Sequence, residues 1–448
     1  MIESFDCLAA TIEAACGLQL NQDEPHGLLM NVSATARRVT AMKVNRRKFL
    51  QSAVAISAAG ILSSRAWAED TIKVAGIHDL SGGLDIYGKP MVDALTLAVE
   101  EANAAGGLLG RQIKLINYDT QSNMQLYAQY AQQAALRDKV AVVHGGITSA
   151  SREVIRPVLD RFKTLYFYNT MYEGGVCDRN QFDTGVTPAQ TAEKLVPYAM
   201  KKWGKKVYII AADYNYGHIT SQWLKKYVLQ NGGVVASIDF FPLDVTNFGP
   251  TISKIQAAKP DIVWSVLVGG AHISFYRQWA AAGMRARIPM AGSNFGVGNE
   301  HIVLSPDECD GILVCYNYFQ DLKTPVNEAF VARFHKRFGA DYPNITELAM
   351  STYQGFRLWA DGVKKADSID RMKVIQALET GISIDAPSGK VSIDPPTHHC
   401  VLDVHIAEVS GKKFKVLVDF AQQKPADTAA VCNLIKHPND NQQYMIKT

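Results

Sequence analysis

The chain has 448 residues, of which 47% are hydrophobic and 20% are charged, and its formal net charge at pH 7 is +3. This composition is ordinary for a folded chain long enough for two domains, and so small a charge gives no reason to expect nucleic acid as a partner. No apolar run reaches the roughly 18 to 20 residues that a membrane-spanning helix needs.

A basic segment followed by small apolar residues lies within the first 70 residues. The segment NRRKFLQ, with the pair Arg46-Arg47, resembles the twin-arginine export signal. A short, weakly apolar core follows it, and the triplet AWA at 66–68 fits the small-x-small pattern of a cleavage site. The sequence therefore predicts a signal peptide over 42–68 and export from the cytoplasm. Residues 1–41 are then either an extension in front of the native start or a long leader.

Short β-branched runs alternate with helical patterns from residue 71 onward. Strands are predicted at 71–77, 113–118, 140–143, 164–169, 207–211, 234–240, 261–268, 288–291, 311–316 and, as the last strand, 402–409. This alternation predicts an α/β fold with parallel sheets, because each intervening helix brings the chain back to start a neighbouring strand in the same direction. The segment 421–448 is polar and contains Pro and Gln, and it is predicted to be a loosely packed tail.

Hydroxyl and aromatic side chains concentrate where the predicted strands end, above all between Val140 and Gly175. Ser149 follows one strand at the start of a helical pattern, and Thr170 follows the next strand. Parallel strands end at the same edge of a sheet, which is where open α/β sheets bind ligands. Hydroxyls beside the free N–H groups of a helix N-terminus suit a carboxylate or an amide oxygen.

The order and spacing of these signals over 71–420 resemble the type I periplasmic solute-binding proteins of ABC transporters, in the leucine/isoleucine/valine-binding class. The carrying pieces are Ser81-Gly82 before Tyr87-Gly88, the segment AVEEANAAGGLLG at 98–110, Asp119, and 146–151. The pattern Y-x-T-x-Y-E-G at 168–174 is most similar to the urea- and short-chain-amide-binding branch. No cofactor or catalytic group is expected, and the implied partners are a small-molecule ligand and the permease subunits of an importer in the inner membrane.

The resemblance implies two Rossmann-like lobes with parallel sheets, joined by a hinge. Lobe 1 is predicted to comprise 71–185 and 319–383, and lobe 2 to comprise 186–318 and 384–420. The resemblance also implies that a ligand is held in the cleft between the lobes. The predicted ligand-binding residues are Ser149, Tyr168, Thr170, Tyr214, Tyr216, Tyr87 and Asn294.

One loop differs from the amino-acid binders of this class, which carry an acid there to pair with the ligand's ammonium group. In this chain the loop reads GSNFGVG at 292–298, and Asn294 has no charge. A buried ammonium without a partner costs several kcal/mol, so the loop favours urea, a neutral amide or a simple carboxylate. Asp85 or Asp213 could supply the missing charge, which leaves a branched-chain or other amino acid open as the ligand.

Three other groups of residues are predicted to carry no chemistry. His398, His399 and Cys400 are neighbours on a strand and point to opposite faces, which disfavours a metal site. Arg152 and Glu153 are predicted to be solvated on a helix face. Five cysteines follow the predicted signal peptide, an odd number that leaves at least one unpaired, and their pairing stays open: Cys177, Cys309, Cys315, Cys400 and Cys432.

Two alternative functions remain at this stage. An enzyme is disfavoured because the sequence has no nucleophile elbow, no zinc helix motif and no supported Ser-His-Asp arrangement. A cytosolic amide-sensing regulator, a type of protein that the amide branch includes, is disfavoured by the predicted export signal.

Overall fold

The computed structural model describes residues 71–445, so the predicted signal peptide at 42–68 and the segment 1–41 lie outside the described residues. The described strands are β1 (Ile72–His78), β2 (Ile113–Asp119), β3 (Val142–Gly145), β4 (Leu165–Tyr168), β5 (Val176–Asp178), β6 (Gln181–Asp183), β7 (Lys206–Ala212), β8 (Val234–Phe241), β9 (Ile262–Val266), β10 (Met290–Gly292), β11 (Leu313–Tyr316), β12 (Ser383–Ala386), β13 (Gly389–Asp394), β14 (His399–Ser410), β15 (Lys413–Gln423) and β16 (Asn441–Gln443).

The helices of the same part of the chain pack against these strands. They are α1 (Asp85–Ala104), α2 (Met124–Gln133, continued by a π-helical turn over Ala134–Asp138), α3 (Ser149–Arg161), α4 (Ala192–Trp203), α5 (Asn215–Gln230), α6 (Gly249–Ala258), α7 (Gly270–Ala281), α8 (Glu300–Val303), α9 (Pro306–Cys309), α10 (Pro325–Phe338), α11 (Glu347–Ala366), α12 (Arg371–Leu378) and α13 (Ala426–Ala429). None of these helices is long and apolar enough to cross a membrane.

Two parallel sheets form the centre of the fold. The first has the strand order β2-β1-β3-β4-β6, and the second has the order β11-β10-β9-β7-β8. Strand β14 joins them, because it pairs in parallel with β6 at His399 and antiparallel with β11 from His405 to Glu408. This architecture confirms the predicted α/β fold with two Rossmann-like lobes, since each parallel sheet is the core of one lobe.

The late hairpin β12–β13 belongs to the first sheet. Its second strand pairs with the beginning of β14, where Ser392 lies opposite Val401. The second half of β14 pairs with β11 and therefore belongs to the second sheet. The chain thus changes sheets within β14, whereas the sequence predicts the boundary between the lobes at residues 383 and 384. The predicted lobe boundaries at Gly185 and after Tyr318 stay predictions.

The C-terminal segment corrects two predictions. Strand β14 is not the last strand, because β15 runs antiparallel beside it and β16 pairs with β5. The segment after residue 420 is also firmly attached: Cys432 forms a disulfide with Cys177, and the buried Asp427 accepts hydrogen bonds from Thr187 Oγ1 and Ala189 N, both at 2.9 Å. The polar composition of this segment predicts loose packing, because nothing in the local sequence points to partners that lie some 240 residues earlier in the chain.

Candidate functional site

A small cavity lies between the two lobes, at the carboxyl ends of the parallel strands. Its volume for a water-sized sphere is about 30 Å³. All seven residues predicted from the sequence line it, and the remaining lining is apolar. The lining consists of Tyr87, Ser149, Tyr168, Thr170, Tyr214, Tyr216 and Asn294 with Ile147, Met171, Val268, Val297 and Leu348. The structure therefore brings the predicted residues together in one place.

Two glycines and a helix cap position Ser149. Gly145 and Gly146 have φ angles of 158° and 83°, and a Cβ on Gly145 would lie 2.2 Å from the carbonyl oxygen of Ile77. Only glycine allows the chain to turn so tightly over β1. Thr148 then caps α3, with its hydroxyl accepting from Ser151 N at 3.0 Å. This makes Ser149 the first residue of the helix, where backbone N–H groups remain free.

The hydroxyl groups of the first lobe donate their hydrogens to the protein itself. Ser149 Oγ donates to Glu173 Oε2, and Thr170 Oγ1 donates to the carbonyl oxygen of Gly146 at 3.0 Å. The hydroxyl of Tyr168 donates to the carbonyl oxygen of Ile147 at 3.1 Å. Each hydroxyl has one hydrogen and two lone pairs, so these three groups retain only lone pairs for a ligand.

A buried ion pair supports this side of the cavity. Arg152 Nη2 lies 2.9 Å from Glu173 Oε1, and both side chains are fully buried. The guanidinium also lies over the rings of Tyr168 and Tyr172, at 5.1 and 4.6 Å from their centroids. The prediction that Arg152 is solvated is therefore wrong. The helix pattern gave no sign that the loop carrying Glu173 folds back over α3.

The C-terminal segment completes this support. Gln443 Oε1 accepts from Arg152 Nη2 at 2.6 Å, and Gln443 Nε2 donates to the carbonyl oxygen of Gly174 at 2.8 Å. The hydroxyl of Thr428 accepts from Gly175 N at 2.9 Å. The disulfide-anchored segment thus holds the loop that positions the carboxylate bonded to Ser149.

The second lobe presents a different set of groups to the cavity. Asn294 Nδ2 donates to the carbonyl oxygen of Leu267 at 2.6 Å, whereas its buried Oδ1 has no partner within the described residues. The rings of Tyr214 and Tyr216 lie beside each other with centroids 6.1 Å apart. Burial raises the pKa of all four lining tyrosines, so their phenols are uncharged. Tyr168 uses its hydrogen within the protein, whereas the hydroxyl of Tyr87 only accepts, from Gly269 N, and keeps its hydrogen for a ligand.

No charged side chain lines the cavity among the residues that the structure describes. Asp85 pairs with Lys89 at 2.6 Å, and the exposed Asp213 pairs with His218 at 2.7 Å. Neither carboxylate lines the cavity. Neither therefore replaces the acid that amino-acid binders carry in the loop 292–298, an alternative that the sequence left open.

Two buried acids near the cavity were not predicted. Glu300 accepts from Gly296 N and Gly298 N, at 2.7 and 3.1 Å, and so holds the loop that carries Asn294. Burial would raise the pKa of Glu300, but the neighbouring His272 and the backbone N–H groups of Glu300 and Gly298 bring it below its ordinary value. Burial raises the pKa of Glu347 to about 7, although a hydrogen bond from Ser351 opposes the shift. Each acid is the first residue of a helix and gives no local sequence signal of its burial.

Hydrogen bonds across the cleft hold the lobes in a closed arrangement. Gly269 N of the second lobe donates to the hydroxyl of Tyr87 on α1 at 3.0 Å. Trp223 Nε1, on α5, donates to the carbonyl oxygen of Glu173 at 3.1 Å. The cavity is small because these contacts bring the two walls together.

Comparison with known proteins identifies the class. The family described as the periplasmic binding protein domain matches residues 72–429. The chain belongs to this family, which confirms the resemblance found in the sequence.

Similar proteins define the class more closely. The leucine-, isoleucine-, valine-, threonine- and alanine-binding protein of Pseudomonas aeruginosa is 26% identical over 365 residues, covering 79% of this chain and 93% of that protein. The Leu/Ile/Val-binding protein homolog 7 of Brucella suis is 23% identical over 356 residues, covering 76% and 88%. A solute-binding protein of an ABC transporter from Rhodopseudomonas palustris BisB5, solved with 3,4-dihydroxybenzoic acid, has a TM-score of 0.72 at 25% identity, covering 80% and 99%.

This chain is therefore a periplasmic solute-binding protein of the Leu/Ile/Val class of ABC transporters. Its relatives are substrate-binding proteins and not enzymes. Proteins of this class bind a small molecule and deliver it to a permease.

Proposed function

We propose that this protein binds urea or a short-chain amide between its lobes and delivers it to the permease of an ABC importer. The observation that carries the proposal is the direction of the hydrogen bonds made by Ser149, Tyr168 and Thr170. Their hydrogens are used within the protein, so they offer lone pairs to the ligand. Asn294 Oδ1 adds a buried acceptor without a partner. A ligand that satisfies these acceptors must bring hydrogen-bond donors, such as N–H groups.

Urea and primary amides meet both needs of the site. Their amino groups donate to the lone pairs, and their carbonyl oxygen accepts from donors on the opposite side of the ligand. Candidate donors are the N–H groups of Ser149 and Ala150 at the start of α3, which have no hydrogen-bond partner among the described residues, and the hydroxyl hydrogen of Tyr87. A carboxylate brings no hydrogens, so it would face the acceptors with its own lone pairs and leave them unsatisfied.

The absence of charge at the described cavity lining argues against the ligands of several relatives. An amino acid needs an anionic partner for its ammonium group, and no carboxylate lines the cavity. The 3,4-dihydroxybenzoic acid named for the Rhodopseudomonas palustris BisB5 protein carries a carboxyl group and an aromatic ring. A volume of about 30 Å³ suits a ligand of a few heavy atoms better than one with a ring.

Acetamide and acetate provide a matched test, because they have the same shape and acetate carries a negatively charged oxygen where acetamide carries NH₂. Isothermal titration calorimetry on ligand-free protein should show that acetamide binds about 100-fold more tightly, since at least two acceptors would lose their donors in the acetate complex. Urea should bind as well. Equal affinity for the pair, or tighter binding of leucine or 4-hydroxybenzoate than of urea and acetamide, would contradict the proposal.

Export through the twin-arginine pathway is part of the same proposal and rests on the pair Arg46-Arg47. Replacing both with Lys keeps the charge and should leave precursor in the cytoplasm, as measured by fractionation. Normal periplasmic yield of that variant would exclude this pathway and would leave the proposed ligand untouched.

A further inference from the structure

A second and larger cavity lies at the mouth of the cleft, directly outside the ligand cavity. We call it the outer chamber, and its volume is about 510 Å³. Loops from the carboxyl ends of strands in both lobes form it. Its lining consists of Gly83, Leu84, Ser122, Met124, Thr148 and Ala150 from the first lobe and Asp213, Tyr214, Leu243, Asp244, Gly269 and Gly270 from the second.

The outer chamber and the ligand cavity are neighbours along the same loops. Ser149 lines the ligand cavity, and Thr148 on one side of it and Ala150 on the other line the chamber. Likewise Val268 lines the cavity and Gly269 lines the chamber. Tyr214 lines both. Tyr214 therefore lies at the boundary between the small ligand cavity and the large open chamber.

We propose that Tyr214 determines the length of the ligand by separating the ligand cavity from the outer chamber. The inference deepens the proposed function and rests on it. With the ring in place, the site accepts urea or a short amide and excludes a longer acyl chain. Without the ring, a chain attached to the amide carbon would extend into the chamber and pack against Leu84, Met124 and Leu243.

The chemistry of the chamber favours an uncharged chain. Its floor is apolar, and its charged lining residues are the exposed carboxylates of Asp213 and Asp244. No Lys or Arg lines it within the part of the chain that the structure describes. A chain that ends in a carboxylate would be repelled by these two groups. An alkyl chain would bury its apolar surface against the floor of the chamber, away from water, which favours binding.

The position of Tyr214 makes it suitable for substitution. It is the residue before α5, with extended backbone angles, and its side chain makes no capping hydrogen bond to the helix. Helix α5 therefore does not depend on the phenol, and its ring is partly exposed beside Tyr216. Removing the ring opens the boundary without removing a core residue.

The experiment compares acetamide and butyramide on the full chain and on Tyr214→Ala, by isothermal titration calorimetry. Butyramide has two more methylene groups, and their burial in the chamber should raise its affinity relative to acetamide about 15-fold in the variant. Tyr214→Phe keeps the ring and should keep the parent's ratio of affinities. Succinamate, whose chain ends in a carboxylate, should not gain.

A second substitution tests the chamber itself. In Tyr214→Ala/Leu243→Asp the gain for butyramide should be lost, because the chain would meet a third carboxylate. If circular dichroism shows that Tyr214→Ala does not fold, Tyr214→Leu provides the same comparison with a smaller change of volume.

The outcomes separate the inference from the proposed function. If the parent protein binds neither acetamide nor urea, the proposed function fails and the inference fails with it. If the parent binds acetamide but the ratio of affinities is the same in parent and Tyr214→Ala, only the inference is wrong. A gain for butyramide that Leu243→Asp does not remove would also contradict it, because the chain would then lie outside the chamber.

Discussion

The two walls of the ligand cavity are built in opposite ways. On the first lobe, Ser149, Tyr168 and Thr170 have all their hydroxyl hydrogens bound within the protein, and a buried ion pair and the disulfide-anchored C-terminal segment lie behind them. On the second lobe, Asn294 presents a buried carbonyl oxygen without a partner, on a loop held by Glu300. The hydroxyl hydrogens of the first wall are bound without ligand, whereas the second wall has a buried side-chain oxygen whose hydrogen bond a ligand can supply.

This difference indicates that the two walls contribute to binding in different ways. A wall that is already ordered costs little conformational entropy when the ligand arrives. A wall with an unsatisfied buried acceptor is stabilised by a ligand that donates to it, and this gives the ligand a preference for the closed arrangement. We therefore expect substitutions in the first wall to affect stability and binding, and substitutions in the second wall to affect mainly binding.

The largest effect should come from breaking the ion pair behind the first wall. Arg152→Ala leaves Glu173 buried without its cation, which is expected to lower the free energy of unfolding by about 3–5 kcal/mol. Urea is itself a proposed ligand, so unfolding should be followed in guanidinium chloride. The exposed pair of Lys89 with Asp85 is the control, and Lys89→Ala should cost about 1 kcal/mol or less. Equal effects of the two variants would remove the distinction between the walls.

The disulfide should have the next largest effect, and it should be confined to the first wall. Cys177→Ser/Cys432→Ser releases a bridge between residues 255 apart and should cost about 2–4 kcal/mol of stability. Hydrogen exchange should become faster at Gly175 N, which the C-terminal segment bonds through Thr428, and should stay the same in the loop 292–298. A reductant should lower the free energy of unfolding of the parent protein and should not change that of the double variant. Faster exchange in both loops would contradict the assignment of this segment to one wall.

Single substitutions at the cavity sharpen the comparison. Ser149→Ala, Thr170→Val and Asn294→Ala should each weaken binding of the proposed amide ligand by about 1–3 kcal/mol, or roughly 5- to 150-fold, in calorimetry. From the sequence alone, the first two variants are expected to melt like the parent. The structure changes that expectation for Ser149→Ala, which removes a donor from the buried Glu173 and should lower the melting temperature.

Asn294→Ala is the contrasting variant for stability. It removes a buried oxygen that has no partner together with one hydrogen bond to Leu267, so its net effect on melting should be small. If Ser149→Ala melts like the parent and Asn294→Ala melts lower, the proposed difference between the walls is reversed.

The smallest effect should come from a hydrogen bond between the walls. Trp223→Phe removes the N–H that donates to Glu173 across the cleft and should shift the open–closed equilibrium by about 0.5–1.5 kcal/mol toward the open form. Small-angle scattering without ligand should then show a larger radius of gyration. Trp203→Phe, at the end of α4, is the matched control and should scatter like the parent. A parent protein that is already fully open without ligand would show no difference and would refute a role for this bond.

Much of the site was predictable because its residues are marked by local signals. Ser149 and Thr170 each follow a buried β-branched strand in a βαβ unit, and such a unit places strand ends at one edge. Tyr214 and Asn294 occupy the equivalent positions in the second lobe. Tyr168 and Tyr216 also follow from their positions at predicted strand ends, the resemblance added Tyr87, and all of these residues line the same cavity. Glu300 and Glu347 were missed because nothing in the adjacent sequence distinguishes a buried acid from a solvated one at a helix start.

The sequence by itself determined the alternation of strands and helices, the sheet edge at which the candidate site lies and the absence of an acid in the loop 292–298. These follow from periodicity and from residues close together in the chain. The tertiary structure alone decided that Arg152 is buried against Glu173 and that Cys177 pairs with Cys432. It also decided that the hydroxyl of Ser149 offers a lone pair and not a hydrogen. The physical reason is that each of these outcomes depends on which distant group occupies the space beside a side chain, and local sequence patterns carry no information about that group.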